Sequence, residues 1–444
     1  MSNTNLEFDL FVSDLNGNLR GKRMPPGAVK KMHTEGMKLP LSVMGFDFWG
    51  ADVLDNGLVF ETGDADGICR PVAEALTPVP WAQQPRNQML ASMYNDDGSP
   101  FEGDPRQVLN KVYQKFRAMG LRPVMATELE FYVLDGASSA SLRPQPPRLG
   151  GDQGPRLSGD EGYSVVEMDG FADFLAELRS ACDIQGIPAD TIISEMGPGQ
   201  FEINLNHIDN PLIAADHAIL FKRLVKGVAQ KHNFAATFMA KPYADCSGNG
   251  FHCHFSLVDD QGNNVFDNGT DEGSDMLKYA IAGLMQTMGD SMLCFAPHMN
   301  SYRRFMEGSH APTFATWGYE NRTVAIRVPE SPGVARRLEH RVSGADANPY
   351  LVLAAILAGA LYGIENKLMP PPAMEGDAYS NAAEEQRLPN QWPQAIDALS
   401  QSDILNEYLG ETFVRVFTAA KRQELGKLSA KITDVEYDAY LAQL

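Results

Sequence analysis

The chain has 444 residues, more than one hydrophobic core usually supports, so we predict two domains, one small and one large. Its composition, 44% hydrophobic and 21% charged, is typical of a globular protein. The formal net charge is −20 and no block of lysine or arginine could follow a phosphate backbone, which argues against nucleic acid as a partner.

Cysteine usage and hydropathy indicate a cytoplasmic protein without a membrane partner. The five cysteines are scattered and form no Cys-x-x-Cys pair, which argues against a disulfide framework and a zinc knuckle. No secretory signal is visible in the first residues. The longest uncharged run, Asn348 to Ile364, is too short to span a bilayer comfortably and predicts a buried helix.

A domain boundary is predicted near residue 102. Short apolar segments separated by glycine and proline, such as LEFDLFVSDLNG and SVMGFDFWG, predict a small strand-rich domain over residues 1–102. A helix should then begin with Asp104 as its cap and Pro105 at its first position, opening a larger domain over 103–444. The segment 136–162 is rich in glycine, proline and serine, and we interpret it as a mobile excursion or lid.

Several short segments alternate apolar side chains with charged or polar ones. Because successive side chains of a strand point to opposite faces, each segment has one apolar face and one functional face. The functional faces carry Glu128 and Glu130 in TELEFYVL, Glu202, Asn204 and Asn206 in QFEINLN, His252 and His254 in FHCHFSL, Arg327 in TVAIRV, and Arg337, Glu339 and Arg341 in RRLEHRV. Any one such strand could simply have a solvent-exposed face at the edge of an antiparallel sheet. The two histidines could also be a hydrogen-bonded pair without a metal or substrate.

Carboxylates gathered on one face repel each other unless a counter-ion is present. Five glutamates with one histidine make a donor set suited to Mg²⁺ or Mn²⁺ rather than to structural zinc. Arginines between residues 303 and 341 suit phosphates and carboxylates, and the combination is typical of phosphoryl transfer. The sequence contains no GxxxxGK[ST] phosphate loop, so a nucleotide would be held in another way.

Five segments in order resemble the motif series of the glutamine synthetase superfamily. They are ELEF, SEMGPGQFEINL, NGFHCHFSL, the stretch from YRRF through NRTVAIRVP, and RRLEHR followed by DANPYLVLAAILAG. The resemblance covers roughly residues 10 to 370 and implies an α+β fold, with an N-terminal β-grasp domain and a catalytic domain built on a curved antiparallel sheet, or half barrel, flanked by helices. It also implies a homo-oligomer, a dodecamer of two stacked hexamers whose active sites are shared between subunits.

The resemblance also implies a role for each matching residue. Glu130, Glu195 and Glu202 match the ligands of one divalent metal ion, and Glu128, His252 and Glu339 match those of a second; two or three Mg²⁺ or Mn²⁺ ions are expected. His254, Arg322, Arg327 and Arg337 match residues around the ATP phosphates, and Arg304 and Arg341 match the pair that holds glutamate. Ser247 and Gly248 are predicted to bind glutamate too, although Ser247 stands where the family has an asparagine. Asp47, His310 and Arg322 occupy positions that match catalytic residues.

The implied reaction is ATP-dependent amide formation through γ-glutamyl phosphate, with glutamate, ATP and an amine as substrates. Departures from the ammonia-using enzymes indicate a larger amine. Where those enzymes have a glutamate that closes over ammonium, EGSHAP places His310, and FDFWGA keeps Asp47 but adds Phe48 and Trp49. Aromatic walls suit the methylene stem of an alkylamine.

The opening SDLNGNLRGKRMP also resembles γ-glutamylpolyamine and γ-glutamylputrescine synthetases, so putrescine or another polyamine or alkylamine is the predicted substrate. Four alternatives stay open. The amine could be ammonia; the chain could be a catalytically silent binding protein; the two histidines could belong to a metal-dependent hydrolase or cupin-like oxygenase; and His310 could be a loop histidine without a chemical role.

Overall fold

Two β-sheets organise the fold, and the computed structural model describes residues 5–141, 143–149, 154–158 and 161–444. The strands are β1 (Phe8–Ser13), β2 (Leu19–Met24), β3 (Met37–Pro40), β4 (Asp66–Pro71), β5 (Thr77–Pro78), β6 (Asn87–Tyr94), β7 (Leu121–Asp135), β8 (Ala189–Ser194), β9 (Gln200–Ile208), β10 (Phe234–Thr237), β11 (Phe251–Asp259), β12 (Trp317–Tyr319), β13 (Ile326–Val328) and β14 (Leu338–His340).

The helices cover the sheets and fill the C-terminal part of the chain. They are α1 (Val29–Thr34), α2 (Pro105–Ala118), α3 (Ser138–Ser141), α4 (Val165–Gly170), α5 (Ala172–Gln185), α6 (Pro211–Lys231), α7 (Asp275–Thr287), α8 (Met292–Phe295), α9 (Pro349–Glu365), α10 (Ala378–Asn381), α11 (Trp392–Gln401), α12 (Asp403–Leu409), α13 (Glu411–Ser429) and α14 (Asp434–Tyr440). Short 3₁₀ helices occupy Leu41–Gly45, Leu54–Asn56, Met299–Arg303, Gly333–Ala335 and Glu384–Gln386.

The first sheet lies within residues 8–94 and has the strand order β2-β1-β6-β4-β3, with β5 paired to β6. Strands β1 and β6 are parallel, and the other pairs are antiparallel. The sheet ends before α2, which is consistent with the predicted small N-terminal domain. The boundary at residue 102 itself stays a prediction.

The second sheet has the strand order β12-β13-β14-β11-β7-β9-β8, with β10 also paired to β7. It is curved and antiparallel except for the β12–β13 pair, and α2 and α6 pack against its long strand β7. The predicted α+β fold with a curved sheet and flanking helices is confirmed.

Helix α9 is the buried helix predicted from the uncharged run. All but two of its residues are buried, and Asn348 caps it by accepting a hydrogen bond from the amide of Tyr350. The Asn348 amide nitrogen also donates to the carbonyl of Asp14 at 2.9 Å, which ties the helix to the first sheet. Among the described residues, no helix combines the length and apolar character that crossing a bilayer requires.

The predicted lid, residues 136–162, lies partly outside the described residues, which omit 142, 150–153 and 159–160. Its described part contains α3 and an antiparallel bridge between Arg148 and Arg156. Arg156 forms an ion pair with Asp135 at 2.9 Å, at the end of β7. The role of this segment as a lid stays a prediction.

Asp104 starts α2 as predicted and also joins α2 to the first sheet. Its buried carboxylate accepts hydrogen bonds from the amide of Arg106 at 2.8 Å, the hydroxyl of Ser92 at 2.8 Å and the amide of Met93 at 2.5 Å. Pro105 occupies the first helical turn, where its missing N–H removes no intrahelical bond. One side chain thus fixes both the helix start and its position against β6.

We expect Asp104→Ala to lower the free energy of unfolding by about 2 to 3 kcal/mol, because it removes a helix cap and leaves buried donors without an acceptor. The shift of the urea midpoint measures the effect. Asp377→Ala is the control, since Asp377 caps the short helix α10 at an exposed position. Equal shifts for the two variants would contradict a joining role for Asp104.

Candidate active site

The register of the second sheet brings the polar faces of its strands together. Neighbouring strands place their functional residues directly opposite one another, as the alternation in the sequence predicts. The opposed pairs are Glu130 with Glu202, Glu128 with Asn204, Glu128 with His252, His254 with Glu339, and Arg327 with Glu339. The alternate side chains face the core, and Leu129, Phe131, Phe201, Ile203, Phe251, Cys253, Phe255, Leu338 and Val342 are fully buried.

Glu128 lies at the centre of this face. Its Oε1 atom lies 2.7 Å from His254 Nε2 and accepts a hydrogen bond from the Asn204 amide at 2.8 Å, while its Oε2 atom lies 3.3 Å from His252 Nδ1. Burial alone would raise the pKa of Glu128, but the bonds with the two histidines outweigh burial and lower it. Glu128 is therefore held as an ionised carboxylate.

Glu339 is also held ionised, by arginines on both sides. Arg327 donates to its Oε2 atom at 3.0 Å, and Arg341 forms an ion pair with its Oε1 atom. The His252 Nδ1 atom lies 3.8 Å from the same oxygen. Burial of Glu339 opposes ionisation, but these cationic neighbours lower its pKa.

The carboxylates of Glu130, Glu195 and Glu202 form the other half of the cluster, and no lysine, arginine or histidine among the described residues makes an ion pair with them. Burial, followed by repulsion from neighbouring carboxylates, raises the pKa of Glu202 to about 10 and that of Glu195 to about 7. Glu130 accepts a hydrogen bond from the amide of Gly250 at 2.8 Å. A divalent cation between these groups would offset the repulsion.

The donor set fits divalent metal ions that prefer oxygen. Two sets of side chains have ligand atoms within 4.8 Å of one another: Glu128, Glu202 and His252, and Glu128, His254 and Glu339. Carboxylates with an imidazole suit Mg²⁺ or Mn²⁺. Gly250 leaves space here, because an added Cβ would lie 2.9 Å from Glu130 Oε1 and 3.1 Å from His252 Nε2. His254, which the resemblance assigns to phosphate, is also close enough to hold a metal.

A cavity of about 950 Å³ opens beside Glu128 and His254, between β7, β9, β11 and the 334–337 turn. Arg337 lines it and donates from Nε to His254 Nδ1 at 3.2 Å. Arg327 is bound to Glu339 and also to Glu320, at 2.9 Å, whereas Arg322 is exposed. The volume suits a nucleotide, with positive charge at the end nearest the acidic cluster.

The residues predicted to bind the substrate glutamate are Ser247, Gly248, Arg304 and Arg341, and Arg341 forms an ion pair with Glu339 of the cluster. Arg304 is buried and donates to the carbonyls of Val342, at 2.8 Å, and Arg341, at 3.4 Å. Gly248 lies against Arg304, since an added Cβ would be 2.8 Å from its Cγ atom. The Ser247 carbonyl accepts a hydrogen bond from the Tyr132 hydroxyl at 2.8 Å.

Asp47 and His310 do not join the cluster within this chain. The buried Asp47 carboxylate accepts hydrogen bonds from the amides of Trp49 and Ala51, from Gln423 at 2.9 Å, and forms an ion pair with Lys427. Burial opposes ionisation of Asp47, but these bonds lower its pKa. His310 is exposed, with a left-handed backbone (φ of 57°).

Two residues that support the site, Gln200 and Gly250, have no role in the sequence prediction, and a third, Asn204, is predicted only to share the functional face of Glu202. Gln200 donates to Glu130 Oε2 at 3.2 Å and to the Gly248 carbonyl at 3.0 Å, which links the acidic cluster to the loop that carries Gly248. Asn204 orients Glu128, and Gly250 provides the space described above. Alternation could also have found the other two, because Gln200 shares a face with Glu202, and Gly250 shares one with His252.

A candidate metal site of carboxylates flanked by arginines, beside a cavity large enough for a nucleotide, is typical of the class of phosphoryl-transferring enzymes. Comparison with known proteins specifies the family. Residues 102–440 match the glutamine synthetase catalytic domain. Gamma-glutamylputrescine synthetase PuuA of Escherichia coli (strain K12) is 44% identical over 432 residues, which covers 97% of this chain and 90% of the relative.

Glutamate–isopropylamine ligase of a Pseudomonas species is 35% identical over 441 residues, covering 97% of this chain and 94% of the relative. A solved structure of GmaS in complex with ADP superimposes with a TM-score of 0.85 at 28% identity, covering 99% of this chain and 97% of that one. The chain belongs to the glutamine synthetase family. It is a glutamate–amine ligase, which confirms the enzyme class predicted from sequence.

We expect Gly250→Ala to fold normally but to lose affinity for Mn²⁺ on the order of tenfold, because Glu130 and His252 must move away from the added methyl group. The rise in Tm on addition of MnCl₂ measures this. Gly426→Ala is the control, since nothing lies within 4 Å of an added Cβ there. An unchanged Mn²⁺ response in Gly250→Ala would contradict a metal-binding role for Glu130 and His252.

Proposed function

We propose that the chain is an ATP-dependent ligase that joins the γ-carboxylate of glutamate to putrescine or a related alkylamine. The observation that supports it most directly is the cluster of five buried or half-buried glutamates and His252 on one sheet face. The similarity to two named amine ligases, one acting on putrescine and one on isopropylamine by their names, favours an amine larger than ammonia.

The metal residues divide into two proposed sites. Glu130, Glu195 and Glu202 would hold one ion, and Glu128, His252 and Glu339 the second. Divalent ions supply charge stabilisation for the phosphoryl group when bound. The cavity beside Glu128 would hold ATP, with His254, Arg322, Arg327 and Arg337 near its phosphates. The structural relative GmaS forms a complex with ADP, which supports nucleotide binding.

In the first step, a γ-carboxylate oxygen of glutamate forms a bond to the terminal phosphorus of ATP, and ADP leaves. Arg304 and Arg341, with the loop that carries Ser247 and Gly248, would hold glutamate with that carboxylate facing the cluster. In the second step the amine nitrogen attacks the acyl carbon, loses a proton, and phosphate leaves. Because Arg304 and Arg341 are already held by hydrogen bonds and an ion pair, they would stabilise the negative charge of the reacting groups without having to reorganise.

Asp47 belongs to this scheme only if subunits share active sites. Asp47 belongs to the N-terminal domain proposed for residues 1–102. Within one chain its carboxylate is bound to Gln423 and Lys427 of α13. In the proposed ring, a dodecamer of two stacked hexamers, Asp47 would be supplied to the catalytic domain, residues 103–444, of a neighbour. The ion pair with Lys427 would then weaken its attraction for a small ammonium ion.

The amine site is proposed to lie near His310. A carboxylate at this position would attract ammonium, whereas the exposed imidazole of His310 does not provide a fixed negative charge.

A cytoplasmic location is part of the same proposal, because the five cysteines are free.

The direct test measures phosphate release from ATP with glutamate and one amine at a time: putrescine, spermidine, ethanolamine, isopropylamine or ammonium. We expect the highest kcat/KM with putrescine. Glu339→Gln, which removes a proposed metal ligand, controls for contaminating activity. Turnover with ammonium alone would contradict the proposed amine and support glutamine synthesis, and no glutamate-dependent turnover at all would support a silent binding protein.

We expect His310→Glu to lower the KM for ammonium on the order of tenfold and to reduce putrescine turnover, because a carboxylate favours a small cation at this position. His310→Gln is the matched control, since it removes the imidazole without adding charge. Steady-state kinetics with both amines measures the effect. If both variants retain the parent kinetics, His310 is a loop residue without a chemical role.

A further inference from the structure

The loop 241–248, which lies between β10 and β11 and carries Ser247 and Gly248, forms neither helix nor strand. Its backbone is held by side chains instead. Four of its carbonyls accept a hydrogen bond from a side chain, namely Lys241 from Asn300, Cys246 from Lys241, Ser247 from Tyr132 and Gly248 from Gln200. Because no ladder of backbone bonds runs through a loop of this kind, these side chains determine where it lies.

Asn300 binds both backbone groups of Lys241. The Lys241 amide donates to Asn300 Oδ1 at 2.9 Å, and Asn300 Nδ2 donates to the Lys241 carbonyl at 3.0 Å. A carboxamide carries an acceptor and a donor side by side, so it can pair with one residue in the way that a neighbouring antiparallel strand does. Two bonds to the same residue fix both the position and the orientation of the backbone where the loop begins.

Asn300 belongs to the 3₁₀ helix Met299–Arg303, which is itself firmly held. The buried hydroxyl of Ser301 donates to the Asp346 carboxylate at 2.5 Å and accepts a hydrogen bond from the amide of His298 at 3.0 Å. The amide of Arg304, the next residue after the helix, donates to the Ser301 carbonyl at 3.2 Å. Asn300 therefore connects the loop to the same rigid turn that positions Arg304.

The loop meets this turn a second time at Gly248. A Cβ added to Gly248 would lie 2.6 Å from the Ala240 carbonyl oxygen and 2.8 Å from Arg304 Cγ, so only a residue without a side chain permits this approach. The loop thus contacts the segment 299–304 at both of its ends, through Asn300 at Lys241 and through Arg304 at Gly248.

We propose that Asn300 is a positioning residue for glutamate, which holds the loop 241–248 at the distance from Arg304 at which both contact the same substrate. This inference rests on the proposed function, which assigns glutamate to Arg304, Ser247 and Gly248. Asn300 acts through the backbone of Lys241 and does not itself have to touch glutamate. Without the two hydrogen bonds, the loop must be ordered each time glutamate binds, which weakens binding.

The test replaces Asn300 by leucine, which has about the same size but forms no hydrogen bond. We expect Asn300→Leu to raise the KM for glutamate on the order of tenfold, because two hydrogen bonds are lost. The KM for ATP should stay that of the parent, since none of the described residues 241–248 lines the cavity beside Glu128. Phosphate release at varied glutamate and at varied ATP, with putrescine as the amine, measures both constants.

Asn366→Leu is the matched control, because the exposed Asn366 also donates to a backbone carbonyl, that of Tyr362, at 2.9 Å. It should retain both KM values of the parent. Asn300→Ala removes the same two bonds as Asn300→Leu, should give the same rise in the KM for glutamate, and decides the question if the leucine variant does not fold. Equal increases in the KM for glutamate and for ATP would indicate a general loss of structure and would overturn the positioning role.

Glutamate binding is also measured without turnover, from the rise in Tm that glutamate produces. Asn300→Leu and Asn300→Ala should need on the order of tenfold more glutamate than the parent for the same rise. If both variants respond like the parent, the role of Asn300 is wrong and the proposed function stands. If the parent itself does not respond to glutamate, the glutamate site is wrong, and the proposed function fails together with this inference.

Discussion

The mutual repulsion of buried carboxylates on one sheet face is the constraint on which the site depends. Ionised carboxylates cost several kcal/mol each to bury unless a cation or hydrogen bonds compensate. The five carboxylates of the cluster differ in how far their charge is compensated. Glu128 and Glu339 are compensated by the chain's own histidines and arginines, whereas Glu130, Glu195 and Glu202 have no ion pair among the described residues.

This asymmetry distinguishes the two proposed metal positions. The half around Glu339 already contains Arg327 and Arg341, so a cation there must compete with guanidinium groups for the same oxygens. The half around Glu202 has raised pKa values because of burial and neighbouring acids, and only neutral donors, Gln200 and the amide of Gly250, form hydrogen bonds with Glu130 there.

Helix α13 links the N-terminal loop to the rest of the fold. Gln423, Glu424 and Lys427 bind the loop around Asp47, and the Lys427 ammonium also lies 5.7 Å from the Trp49 ring centroid. The Asp47 carboxylate is consequently fixed in orientation, and its charge is partly neutralised before any substrate binds. A residue so constrained can position an amine, but it attracts a bare ammonium ion less strongly than a free carboxylate would.

The sequence alone determined the strand faces and the helix start at Asp104, because side-chain alternation and capping are local properties of consecutive residues. The family was determined by the resemblance of five ordered motifs to the glutamine synthetase superfamily. The sequence could not establish that Gln200 joins Glu130 to Gly248, nor that Lys427 neutralises Asp47, because these contacts connect residues tens to hundreds of positions apart. The same applies to the cavity beside Glu128, whose walls come from β7, β9, β11 and the 334–337 turn. Only the tertiary structure decides which charges meet and which remain unpaired.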